Sequence, residues 1–83
     1  MSFHFYILFS DQLNNYYVGH TGDDLTERLR RHNSDHAGFT GPADDWKIVY
    51  TEPFSLKKEA TDRERQVKKW KSRKLIEKLI SSC

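Results

Sequence analysis

Hydrophobic positions alternate from the start of the chain: Phe3, Phe5, Ile7 and Phe9 fall on one side of an extended segment, with His4, Tyr6 and Leu8 on the other. Both sides are largely apolar, which predicts a central strand covered on each face. Asp11 to Asn15 supplies turn residues, and Tyr16 to His20 returns as the second strand of an antiparallel hairpin. Register decides what this hairpin displays. If Ser10 pairs with Asn15 across a four-residue loop, Leu8 lies opposite Tyr17, and Tyr6 and Tyr17 project from one face. An odd loop sets them on opposite faces unless a bulge intervenes. The second strand ends near Thr21, and glycines 19 and 22 lead into a short basic helix. Asp23 or Asp24 can cap that helix, and Leu25, Leu29 and His32 recur at i, i+4, i+7 as its inward stripe. Arg28 lies beside the stripe, Arg30 points away from it and Arg31 lies on a flank, so the three arginines are not equivalent.

From Ser34 to Asp45 the apolar period disappears among glycine, proline and aspartate, which predicts a loop. Trp46, Ile48 and Tyr50 then alternate with Lys47, Val49 and Thr51 as a third strand, ended by Pro53. Ser55 can cap a second helix whose inward positions include Ala60 and Val67 and which Trp70 closes. Arg63 and Glu64 flank the line joining Ala60 to Val67, and periodicity does not choose between them. Ser72 is placed to cap a last helix with an apolar stripe of Leu75, Ile76, Leu79 and Ile80. The expected order is ββαβαα, an α+β fold with a small three-stranded antiparallel sheet flanked by helices, in a single domain over residues 1–83.

Eighty-three residues allow one small core, and a buried charge in so small a domain needs a reason. The single cysteine, Cys83, excludes an intramolecular disulfide or a Cys-rich zinc site and fits a reducing cytoplasm. Met1 to Phe9 lacks a basic leader and a small-residue cleavage site, so it reads as a strand and not as a signal peptide. No apolar run approaches the roughly 20 residues that span a bilayer. The net charge of +2 conceals an asymmetry: from Lys57 onward ten Lys or Arg face four acids, while residues 1–56 carry four against eight. A basic last third fits a polyanion such as nucleic acid; a solvated helix face is the plain alternative.

Tyr6, then Tyr17-Val18-Gly19, Arg28-Leu29, His32 and later Glu64 resemble, in that order, the GIY-YIG nuclease superfamily, and in particular its small stand-alone bacterial members. The similarity runs from Phe5 to about Ile80. Tyr17-Val18-Gly19 stands for the second motif, whereas His4-Phe5-Tyr6 keeps only the tyrosine of the first, at an eleven-residue step that fits the family. Glu64-Arg65-Gln66-Val67-Lys68-Lys69-Trp70 also looks like the corresponding family helix, and favours Glu64 over Arg63 as the inward group.

The resemblance implies a metal-dependent endonuclease that hydrolyses phosphodiester bonds in nucleic acid, DNA in particular, with little sequence specificity. The alternative is a binding module of the same fold that has lost turnover. In the nuclease reading Glu64 ligates one divalent ion, Mg²⁺ or else Mn²⁺, with water and phosphate completing the shell. Arg28 braces the phosphate oxygens. Tyr6 and Tyr17 orient the attacking water, and either can serve as its base if Arg28 and the metal lower a phenol pKa of about 10. His32 supports Tyr17 or the substrate. Gly19, Thr21, Arg31, Lys68, Lys69 and Lys71 are assigned to the substrate surface, although Thr21 and His20 also fit a structural role. His32 and His36 have a zinc-pair spacing, but Asn33-Ser34 ends the helix and no further ligand is evident. The expected state is a monomer or weak homodimer.

Overall fold

Strand β1, Phe3–Ser10, occupies the middle of the sheet in a computed structural model that describes residues 2–34 and 43–82. Its neighbours are β2, Asn15–Thr21, and β3, Lys47–Phe54, both antiparallel to it, in the order β2-β1-β3. Three helices complete the order ββαβαα: α1 (Leu25–Ser34), α2 (Lys57–Trp70) and α3 (Arg73–Ser81).

The two-sided apolar pattern of β1 gives the molecule a core on each face of the sheet. Phe5 and Ile7 pack with Val18 and with Val67 of α2, and Ile76, Leu79 and Ile80 of α3 close that side. Tyr6 and Leu8 face the other way, into a cluster with Trp46, Tyr17, Ile48 and the α1 residues Leu25 and Leu29. Leu75, expected in the α3 stripe, is 44% exposed. The stripe of α3 is therefore narrower than its apolar content.

Ser10 pairs with Asn15 and Leu8 with Tyr17, the register of a four-residue loop, so Tyr6 and Tyr17 do share a face. The strict alternation expected along β3 fails. Ile7 pairs with Tyr50 and Leu8 with Ile48, which leaves Val49 as the extra residue of a bulge. Trp46 and Ile48 thus pack on the α1 side, while Val49 and Tyr50 pack on the α2 side. Pro53 does not end β3 but pairs with His4 inside it. β3 is an edge strand, and an edge tolerates a residue whose missing N–H faces away from the ladder.

Capping follows the local chemistry. Asp24, not Asp23, caps α1, its Oδ1 accepting from Thr26 N at 2.8 Å and Glu27 N at 3.2 Å. Ser72 caps α3 through Leu75 N at 3.3 Å. Leu56, and not Ser55, holds the N-cap position of α2, where the Glu59 carboxylate reaches back to accept from Leu56 N at 3.3 Å while the leucine itself offers no capping oxygen. Lys71 ends α2 in the left-handed conformation, φ 47°. His36 and most of the Ser34 to Asp45 stretch lie outside the described residues.

Candidate active site

The hairpin register sets Tyr6 directly across from Gly19. The Tyr6 phenol fills the space above that glycine: a Cβ there would come within 2.8 Å of Tyr6 Oη and 3.0 Å of Tyr17 Cε2. Gly19 is needed so that the two tyrosines can lie together over the strand, their ring centroids 6.4 Å apart. The same face receives α1. Its inward stripe carries His32, whose Nε2 lies 2.9 Å from Tyr6 Oη, and whose ring centroid is 4.9 Å from that of Tyr17. Arg28, at the margin of the stripe, donates from Nε to Tyr6 Oη at 3.4 Å. Asn33 ties the end of the helix down, accepting from Trp46 N at 2.7 Å and donating to Trp46 O at 3.0 Å. Trp46 in turn lies edge-on to the Tyr17 ring.

Burial drives the Tyr6 pKa upward, and the Arg28 hydrogen bond, which pulls the other way, does not overcome it. Tyr6 is therefore a neutral phenol. Arg28 Nε donates to the phenol oxygen, and Tyr6 Oη and His32 Nε2 share one hydrogen, carried by the phenol when the ring proton of His32 is on Nδ1 and by the ring when it is on Nε2. Arg28 lowers the Tyr6 pKa, as expected of it, but does not by itself outweigh burial.

Glu64 belongs to a second cluster. Along β2 the side chains of Tyr16, Val18 and His20 face α2, opposite to Tyr17, and His20 Nδ1 lies 2.7 Å from Glu64 Oε1. The other carboxylate oxygen accepts from Lys68 Nζ at 2.8 Å. Thr61 Oγ1 is 3.3 Å from His20 Nε2, one helical turn before Glu64. Burial opposes ionisation of Glu64, yet the hydrogen bonds from Lys68 and His20 outweigh it and hold the carboxyl below its ordinary range. Glu64 is an anion at neutral pH. Arg63 turns to the opposite margin of α2, where Glu52 of β3 accepts from its Nε at 2.9 Å. Both flanking residues thus face the sheet, one towards each edge strand.

The two clusters meet around the edge of β2. The charge of Glu64 is felt at the Tyr6 phenol, and Lys68 Nζ stands 5.9 Å from the centroid of the Tyr17 ring. Between this edge and the C-terminal helices lies a groove of about 600 Å³, lined by Tyr16, Tyr17, Val67, Lys68 and Lys71 among others. Of the remaining substrate-surface expectations, Lys69 is exposed on α2. Arg31 is half exposed and lies 3.8 Å from Asp23 and 3.9 Å from Glu27. Buried Thr21 accepts from Asp23 N at 2.9 Å and so shapes the turn into α1. His20 was not singled out by the sequence as a partner of Glu64, nor Thr61 as a partner of His20. The His20–Glu64 contact pairs residues 44 apart and leaves no local periodic signal.

Among the described residues no three His, Cys, Asp or Glu gather into a metal-binding group, and no helix is long and apolar enough to cross a membrane. A family model for the GIY-YIG catalytic domain matches residues 2–77. The fold is also similar to the solution NMR structure of the UPF0213 protein BH0048 from Bacillus halodurans, with a TM-score of 0.59 and 33% identity over 98% of this chain and 84% of that one. No curated protein matches the sequence.

Proposed function

The chain belongs to the GIY-YIG family, whose members are generally endonucleases, and from that premise we propose that it is a metal-dependent endonuclease acting on nucleic acid, DNA in particular. The observation that carries this reading is the gathering of Tyr6, Tyr17, Arg28 and His32 on one sheet face, with an ionised Glu64 just around the β2 edge.

Glu64 is the residue to hold a divalent ion. A cation, the Lys68 ammonium, already sits on its Oε2, and a lone carboxylate suits Mg²⁺, which keeps most of its water shell. When bound, such an ion supplies charge stabilisation to the phosphate and its leaving oxygen. The protein residues do the rest. Arg28, its Nε committed to Tyr6, presents its terminal guanidinium nitrogens to the non-bridging oxygens, where charge accumulates as water adds to phosphorus. Tyr17, less buried than Tyr6, orients that water. A proton lost from the water passes into the hydrogen-bonded phenol–imidazole pair of Tyr6 and His32. One P–O bond forms and one breaks, and the departing oxygen takes a proton from solvent.

The test is cleavage of a panel of single-stranded, duplex and branched DNA and RNA with Mg²⁺ or Mn²⁺. Glu64→Gln is expected to abolish cleavage and leave nucleic-acid binding intact or tighter, since an anion facing phosphate is removed. Arg28→Ala is expected to lose cleavage and part of the binding. Salt-dependent binding by folded wild type with no cleavage of any substrate replaces this reading by a binding module of the same fold.

A further inference from the structure

The carboxylate of Glu64 is held at its two oxygens by partners of different character. Oε1 is fixed by His20 at 2.7 Å, and His20 is steadied from behind by Thr61 at 3.3 Å. Oε2 is taken by Lys68 at 2.8 Å. The Glu64 side chain is 19% exposed and that of Lys68 50%, so the anion is seated in the protein while its cation reaches in from solvent. A half-exposed i,i+4 pair is weak, and a lysine holds it as a flexible point charge and not as a planar fork. The ammonium also has somewhere to go. It already stands 5.9 Å from the Tyr17 ring centroid, and Lys68 and Lys71 line the same groove, where two lysines can share a phosphate.

We propose that Lys68 is the resident counter-cation of Glu64, which a divalent ion must displace from Oε2, so that Lys68 sets the affinity of the protein for its metal. This rests on Glu64 as the metal ligand and goes beyond it. His20 is the fixed partner in the exchange: it keeps the carboxylate in place on Oε1 when the lysine leaves. The arrangement keeps a half-buried carboxylate paired in the absence of metal, and it makes the metal site weak until Lys68 is drawn elsewhere.

The experiment is a titration of the nucleic-acid-free protein with Mn²⁺ alone, with free Mn²⁺ followed by electron paramagnetic resonance. Wild type, Lys68→Gln, Lys69→Gln and Glu64→Gln are compared after thermal melts show all four to be folded. Removing a competing charge a few ångströms from the ion is expected to tighten Mn²⁺ binding by Lys68→Gln about 5–10-fold. Lys69, exposed on the same helix and not paired with Glu64 among the described residues, serves as control, and Lys69→Gln is expected to change the affinity less than about twofold. Glu64→Gln is expected to lose the site. Equal affinities for wild type and Lys68→Gln, with the site lost in Glu64→Gln, overturn the exchange and leave Glu64 as the ligand. Equal tightening by Lys68→Gln and Lys69→Gln overturns it too, because net charge alone then explains the effect. Unchanged binding by Glu64→Gln removes both the exchange and the ligand assignment beneath it.

Discussion

Tyr6 is the residue on which the candidate site turns. Its oxygen lies between an arginine that donates to it and an imidazole hydrogen-bonded to it, and burial keeps it a phenol. Tyr6→Phe removes both bonds and barely alters the packed volume. Cleavage should fall about 10²–10⁴-fold, the usual contribution of a positioned proton-transfer group, with a small change in melting temperature. A loss under tenfold in a steady-state assay would make Tyr6 a packing residue. Gly19 presents the opposite case, of a residue without chemistry on which the chemistry depends. A methyl group at position 19 meets Tyr6 Oη at 2.8 Å and Cζ at 2.9 Å, and the phenol is pinned by His32. Gly19→Ala is expected to cost about 1–3 kcal/mol in denaturant unfolding and to disturb the site as well. An unchanged unfolding midpoint would show that the phenol yields easily.

At the level of elements, α2 is clasped to the sheet at both margins, by Arg63 and Glu52 towards β3 and by Glu64 and His20 towards β2. Burial pushes the Glu52 carboxyl up, but the Arg63 and Tyr50 hydrogen bonds outweigh it and leave the pKa lowered. A lowered carboxyl stabilises the fold above its unfolded value, near pH 4.3, and that contribution disappears as pH falls through the lower folded value. Glu52→Gln should therefore cost on the order of 1–3 kcal/mol at pH 7. The gap from wild type should close below about pH 4, as paired thermal melts across pH would show; a constant gap would exclude the ion pair as its source. Much of this architecture was legible in advance, because local chemistry imposes it. The apolar alternation of β1 made it central and the i, i+4, i+7 stripe carried His32 inward, while the hairpin offered two registers, of which pairing of Ser10 with Asn15 gives the face shared by Tyr6 and Tyr17. The failures were non-local. The Val49 bulge depends on pairing with β1, and Pro53 is tolerated only because β3 lies at an edge. The separation of Glu64 from the tyrosine cluster likewise depends on which face of the sheet receives α2, which no periodicity within α2 records.

Over the whole molecule, the basic last third resolves into two populations. Lys58, Arg63, Lys68 and Arg73 pair with acids across or along the helices. Lys57, Arg65, Lys69, Lys71, Lys74 and Lys78 form no ion pair with an acid among the described residues, and all six are exposed. This second set, more than the net charge of +2, should set the affinity for a phosphate backbone, because only a cation without a partner releases counterions from nucleic acid in full. Lys71 has the strongest claim, since it lies on the groove that reaches Tyr17. Replacing Lys69 and Lys71 together by glutamine is thus expected to weaken binding to all sequences alike. It should also reduce the slope of log K against log salt by about 0.7–0.9 per phosphate contact, or about 1.4–1.8 for the pair. Fluorescence anisotropy between about 50 and 200 mM salt measures both quantities. Replacing Lys58, on the same helix but already paired with Asp62 at 2.7 Å, should move the slope much less. If Lys58→Gln and the Lys69, Lys71 double variant change the slope equally per charge, the helices act as a diffuse cationic cloud; if only the double variant does, nucleic acid follows the groove towards Tyr17 and Glu64.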